Sequence, residues 1–232
     1  MVSESSSEAY LSPLLRFLAT ASCPPDGRLP SLSEMSKQLG VGISSLREQA
    51  EAAKALGLVE AKPKIGMRRL DFKPKPAILT SLSYAVQADV GYFRYVADLR
   101  AHLEDIYWYD AVPVLTPEDI ERLSQLVDQA ERKLVSRPIQ IPYREHRELH
   151  LLIFSHLENP IVTALLETYW DLYTAVGLDI YADLAYLERV WNYHRRVVEC
   201  IEVHDYDDGH RLLLDHMTLI DQRANGWANP VE

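Results

Sequence analysis

His146 and His150 stand four residues apart in YREHRELHLLIFSHLEN, residues 143–159. No Pro or Gly interrupts the chain between Pro142 and Pro160. At about 100° per residue, a four-residue step returns to within about 40° of the same helical face. Two imidazoles stacked there can grip one metal ion. Two more histidines, His194 and His216, lie on later segments of helical character. If all four converge, the C-terminal half is a helical cage around a metal. His102, His156, His204 and His210 fall outside this pattern; His156 sits about 280° around the helix from His146.

Each residue also has a plainer reading. His146 lies among Arg144, Glu145, Arg147 and Glu148 and could be a surface residue. His150 and His194 could be hydrogen-bonded core residues. Arg100 could pair with Glu104 at the i,i+4 spacing. Tyr107, Trp108 and Tyr109 read as core or dimer contact.

The elements that would position these side chains are helical. After Lys73-Pro74-Lys75-Pro76, a stiff charged connector, no strand-like alternation appears. Helices are expected over about 77–89, 90–110, 116–135, 143–159, 161–176, 182–204 and 208–225. Thr116-Pro117-Glu118-Asp119 opens one as a cap with Pro at the first position. Asn159-Pro160 and Gly177 punctuate the next. Six or seven helices with short loops make a bundle.

The front of the chain has another organisation. Ser12-Pro13 caps a first helix. Ser31 with Glu34 forms a capping box for a second, which ends near Leu39-Gly40. A longer helix runs about 44–56, with Gly57 as its C-cap. Extended pieces at 58–61 and 67–72 flank the basic tip Lys62-Pro63-Lys64-Ile65-Gly66. Short helix, tight turn, longer helix and basic hairpin outline a winged helix-turn-helix. In that motif the second helix enters the major groove, which here presents Gly42, Ile43, Ser44, Ser45 and Arg47. Lys62, Lys64, Arg68 and Arg69 on the wing would meet phosphate or the minor groove. A small helical protein-interaction module is the alternative.

The totals agree with two jobs. The 232 residues are 47% hydrophobic, enough for a real core. The net charge of −10 conceals an asymmetry: residues 1–75 carry 11 Lys+Arg against 8 Asp+Glu, and residues 76–232 carry 13 against 26. The basic part suits a polyanion; the acidic part would be repelled by one. The longest apolar runs are far too short to cross a bilayer. With no basic-then-apolar leader, a cytoplasmic protein is expected. Cys23 and Cys200, the two cysteines, make no disulfide framework.

Leu29-Pro30-Ser31, Leu39-Gly40-Val41, Leu46-Arg47-Glu48 and Leu56-Gly57-Leu58-Val59, with a Gly in the wing, resemble the DNA-binding domain of the gluconate-repressor (GntR) superfamily over residues 10–72. Ser33 and Ile43 stand where members usually place DNA-contacting arginines, so Arg47 alone of the usual trio remains. Each missing bidentate contact to guanine removes roughly 1–3 kcal/mol of discrimination. Arg100 with Leu103-Glu104, His150 before Glu158-Asn159-Pro160, His194-Arg195 and His216 resemble the FCD ligand-binding domain of the FadR-type subfamily over residues 78–224.

That resemblance implies a mainly α protein. It divides into a winged helix-turn-helix at 1–72, a linker at 73–76 and an all-helical FCD-like metal-binding, effector-binding and dimerisation domain at 77–232. DNA contact falls to Ser31, Ser44, Ser45, Arg47, Lys62, Lys64, Arg68 and Arg69. Members hold a divalent metal through an Asp and three His; the Asp position is His146 here. The implied ligands are His146, His150, His194 and His216. Nitrogen ligands favour zinc, with nickel or iron as alternatives, over magnesium and calcium. The implied partners are a double-stranded operator, a small organic acid gripped by the metal and by Arg100, and a second copy of the chain. The expected function is an effector-controlled transcriptional regulator and not an enzyme. A metalloenzyme and a direct metal sensor are the other readings; against the enzyme, no HExxH occurs.

Overall fold

The computed structural model describes residues 10–22, 24–62, 66–178 and 183–225. Packing divides the chain into two units, residues 1–81 and 82–232.

In the first unit Ser12 caps α1 (Pro13–Thr20), with Pro13 at the first helical position. The Ser31 hydroxyl and the Glu34 carboxylate satisfy each other's backbone N–H at the start of α2 (Leu32–Leu39). Gly40, at φ 64°, ends that helix in the left-handed region, where a side chain would be strained. Then come α3 (Ile43–Ala55) and the antiparallel pair β1 (Val59–Lys62) and β2 (Gly66–Arg69), in register Val59↔Arg69. The second strand is shorter than the sequence suggests. Leu70 leaves the ladder to bond Leu58, and Asp71–Phe72 run on without strand pairing. Leu14, Leu18, Leu29, Met35, Leu46, Ala53 and Val59 form this unit's core.

The helix α4 (Lys75–Ala88) begins inside the expected connector. Pro76 is tolerated because the N–H it lacks would have no intrahelical acceptor in the first turn.

The second unit is built from α5 (Phe93–Ala111), α6 (Pro117–Leu134), α7 (Tyr143–Ile153), α8 (Pro160–Ala175), α9 (Leu184–Glu202) and α10 (Tyr206–Asn225). Among the described residues it contains no strand. Its core joins Trp108 of α5, Leu123, Leu126 and Val127 of α6, Leu149 and Ile153 of α7, Val190 and Val197 of α9 and Leu213 of α10. Gly209 permits the close seating of α10. A Cβ there would stand 3.0 Å from the Trp108 ring and 3.2 Å from Cys200 Cβ. Trp108 Nε1 donates to Tyr206 O at 2.9 Å, fastening α5 to the start of α10. No described helix is long and apolar enough to cross a membrane.

Candidate metal centre in the helical unit

α7 carries its histidines on the buried face. His146, Leu149, His150 and Ile153 turn inward. Arg147 and Glu148 turn outward to Asp171 and Arg122. Glu145 is buried too, but against Lys133 at 2.7 Å and not in the cluster. His194 is on the buried stripe of α9 between Trp191 and Val197. His216 lies seven residues beyond Gly209, two turns along α10.

One ligand nitrogen from each of His146, His150, His194 and His216 lies within 4.8 Å of the others. The tightest ring pair, His194 and His216, has centroids 4.3 Å apart. His150 Nε2 and His194 Nε2 are separated by 3.1 Å. All four rings are buried. His194 Nδ1 and both nitrogens of His216 find no hydrogen-bond partner among the described residues. Buried imidazole nitrogens without partners are costly, and a shared cation would take up one nitrogen of each ring. Four imidazole nitrogens are a donor set that would hold a zinc ion. Burial is the main force holding His150, His194 and His216 well below the ordinary histidine range, with the Arg100 charge adding to it. The rings are therefore neutral and offer lone pairs to a metal. The residues fit the group.

The wall behind the cluster was only partly legible. Trp170 of α8 closes one side, its ring 4.7 Å from His146 and 5.4 Å from His150. Its only sequence signal is the aromatic run of α8, Tyr169-Trp170 and Tyr173. Glu104 was noted as a partner for Arg100; its contact with a histidine was missed, because nothing in the spacing shows that α5 meets α7 there. The plainer reading of Arg100 describes its contacts well. It is buried, and its Nε and Nη2 bind Glu104 Oε1 and Oε2 at 2.6 and 2.9 Å. Its guanidinium lies 4.9 Å over the Tyr169 ring. Nη2 also lies 2.8 Å from His150 Nδ1 and 3.2 Å from its Nε2. Burial opposes the Arg100 charge, but Glu104 outweighs it and keeps the guanidinium firmly protonated. Burial pushes the Glu104 carboxyl up, against the pull of Arg100. Glu104 thus occupies the Nε and Nη2 edge of the Arg100 guanidinium.

A cavity of about 20 Å³, room for about one water, adjoins His146 between Tyr143, Tyr173, Tyr186 and Trp191. The four remaining histidines lie elsewhere. His156 pairs with Asp119, His210 with Asp105, His204 with the Tyr206 hydroxyl and His102 with the Asp98 carbonyl.

In the first unit the proposed DNA-contacting residues differ in their situations. Ser44 and Arg47 are exposed on α3, whose N-terminus carries no side-chain cap. Ser45 accepts from Gln49 at 3.1 Å, and Ser31 is taken up by its capping box. Lys62 is exposed and pairs with Glu60 at 2.8 Å. Arg68 is half-buried, and its Nε finds no partner among the described residues. Arg69 Nη1 donates to the carbonyls of Leu18 and Ala21 at 2.8 and 3.0 Å, closing the end of α1. Lys64 lies outside the described residues.

The FCD domain family matches residues 95–219, more than half of the chain. The chain belongs to the FCD family. The match includes all four histidines and both members of the Arg100–Glu104 pair. A winged helix precedes the FCD domain, the arrangement expected from the sequence. Among solved structures, a GntR protein of Streptococcus agalactiae superposes with a TM-score of 0.62 at 18% identity, covering 90% of this chain and 96% of its own. The Listeria monocytogenes protein Lar, described as controlling expression of the agr system, superposes with a TM-score of 0.50 at 14% identity, covering 91% and 93%. At such identities the likeness is one of fold. No match to a curated protein was found.

Proposed function

We propose that this FCD protein binds a double-stranded DNA operator as a homodimer, and that a small organic acid bound at a metal on His146, His150, His194 and His216 controls the affinity. The observation that carries the reading is the convergence of four buried imidazoles from α7, α9 and α10. Their donor set suits zinc, with nickel or iron next. Four neutral ligands leave the ion its full double charge, so a small organic acid would be attracted to any open coordination position. An acid gripping the Nε and Nη2 edge of Arg100 would have to displace Glu104 from it. DNA contact falls to the exposed N-terminal turn of α3, with Arg47 foremost, and to the wing. Homodimerisation is supported by an exposed apolar stripe on α5. Tyr95 is 55% exposed, Leu99 42%, Ile106 69% and Tyr109 49%.

The test is fluorescence anisotropy on genomic fragments at low salt, with and without zinc and candidate acids. A shift in operator affinity with zinc plus acid is expected; no binding to any fragment sinks the proposal. A second reading is favoured by the small cavity and the occupied Arg100: the metal itself is the signal. Zinc titration of operator affinity without any acid separates the two.

A further inference from the structure

Leu46 and Ala53 of α3 are buried, whereas Ile43, Ser44, Arg47, Glu48 and Glu51 face solvent. Ile43 is 40% exposed and is the one large apolar side chain left open on this helix among the described residues. A single exposed isoleucine is ordinary on a protein surface; its place sets this one apart. It stands four residues before Arg47, so the two lie on one face, a turn apart. Both line a groove that Lys62 and Met67 of the wing also line. The first turn of α3 has no acidic residue and no side-chain cap, so an anionic backbone meets unspent N–H groups there. The carboxylates of Glu48 and Glu51 come only further along. A duplex is admitted at the first turn and disfavoured beyond it.

We propose that Ile43 reads the C5-methyl of a thymine, so that each half-site of the operator carries an A·T pair within two base pairs of the position Arg47 contacts. This rests on the operator reading above. An isoleucine neither donates nor accepts a hydrogen bond. Of the four base edges in the major groove, thymine alone presents a methyl group. Against that methyl, Ile43 buries apolar surface on both sides of the contact. Against guanine, adenine or cytosine it would strip water from a polar edge and return no hydrogen bond. Four residues rise about 6 Å along a helix, and successive base pairs are about 3.4 Å apart; that ratio sets the reach of two base pairs. The Ser44 hydroxyl beside it can bond either a donor or an acceptor and discriminates little. Sequence is therefore read by an apolar contact at the start of α3 and a charged one a turn later.

The experiment starts with selection of duplexes from a random-sequence library by the full chain, metal-free and zinc-loaded. Each selected half-site is expected to hold a thymine whose preference is lost in Ile43→Ala, within two base pairs of the position relaxed in Arg47→Ala. Replacing that thymine by deoxyuridine removes the methyl and keeps the base pairing. In fluorescence anisotropy the replacement is expected to weaken wild type about fourfold per half-site, as for one buried CH₂ group. Ile43→Ala, at an exposed position, is expected to bind the two duplexes alike. Ile43→Val, which keeps a branched apolar side chain, is expected to retain the penalty. An isoleucine of merely structural use would lower both affinities by one factor in Ile43→Ala and leave the uracil penalty intact, and that result overturns the proposal. So does a selection by Ile43→Ala that keeps every wild-type thymine, or equal wild-type affinity for the thymine and uracil duplexes. A wild-type chain that selects no sequence overturns the operator reading beneath it, a result seen before any base is replaced.

Discussion

Arg47 and Arg69 belong to the same winged helix and stand in opposite situations. Arg47 projects from α3, exposed. Arg69 spends its Nη1 on two carbonyls at the end of α1. Arg47→Ala is expected to weaken operator binding by about 1–3 kcal/mol in anisotropy and to leave the unfolding temperature unchanged. Arg69→Met is expected to lower stability by about 1.5–3 kcal/mol in urea unfolding, since it removes hydrogen bonds from a charged donor. At the histidine cluster, His150→Ala or His194→Ala is expected to reduce bound metal well below one ion per chain in elemental analysis. Full metal content in both variants contradicts the proposed ligand set. The four histidines were legible because His146 and His150 declare a shared face and the family resemblance supplies the distant pair. Glu104 and Trp170 were not legible in their roles at the cluster, because a contact between helices 46 residues apart in sequence leaves no periodic mark.

The helices themselves were read well where their ends carry chemistry. Thr116 and Asp119 form a reciprocal cap at the start of α6, with Thr116 N donating to Asp119 Oδ2 at 2.9 Å. Thr116→Ala is expected to cost about 1 kcal/mol. The cap also predicts a pH effect. The Thr116 backbone N–H first, and His156 next, hold the Asp119 carboxyl below the ordinary Asp range. A carboxyl depressed in the folded state contributes stability above its unfolded value of about 3.9. That contribution is lost as pH falls through the depressed value. The gap in urea midpoint between wild type and Asp119→Asn is expected to narrow as pH falls from 6 through the acid range below the ordinary Asp value. A gap that persists there argues against the assignment. The start of α4 was misplaced: two prolines suggested a stiff connector, although the first turn of a helix accepts proline. The close seating of α10 was also hidden, since Gly209 stands beside Trp108 and Cys200 only after folding. Gly209→Val is expected to overpack that contact and destabilise the second unit by about 1–3 kcal/mol.

For the whole molecule, the proposed metal site would link metal to stability. A ligand at a hundred times its dissociation constant stabilises the folded chain by about 2.7 kcal/mol. Chelation is therefore expected to lower the unfolding temperature, and zinc to restore it; calorimetry with and without chelator checks this. The α5 stripe makes a separate claim. Leu99→Glu with Ile106→Glu is expected to halve the solution mass in analytical ultracentrifugation; an unchanged mass would leave that stripe without the assigned partner. The charge asymmetry between the two parts of the chain was legible from composition alone, and so was the absence of a membrane-length apolar run. The aromatic wall has an optical corollary. The indoles of Trp170 and Trp191 have ring centres 4.7 and 4.9 Å from His146 and His194. An ion with unpaired electrons seated among those histidines would be close enough to extinguish their emission. Occupancy can then be followed by light alone, on unlabelled protein, in a stopped-flow cell.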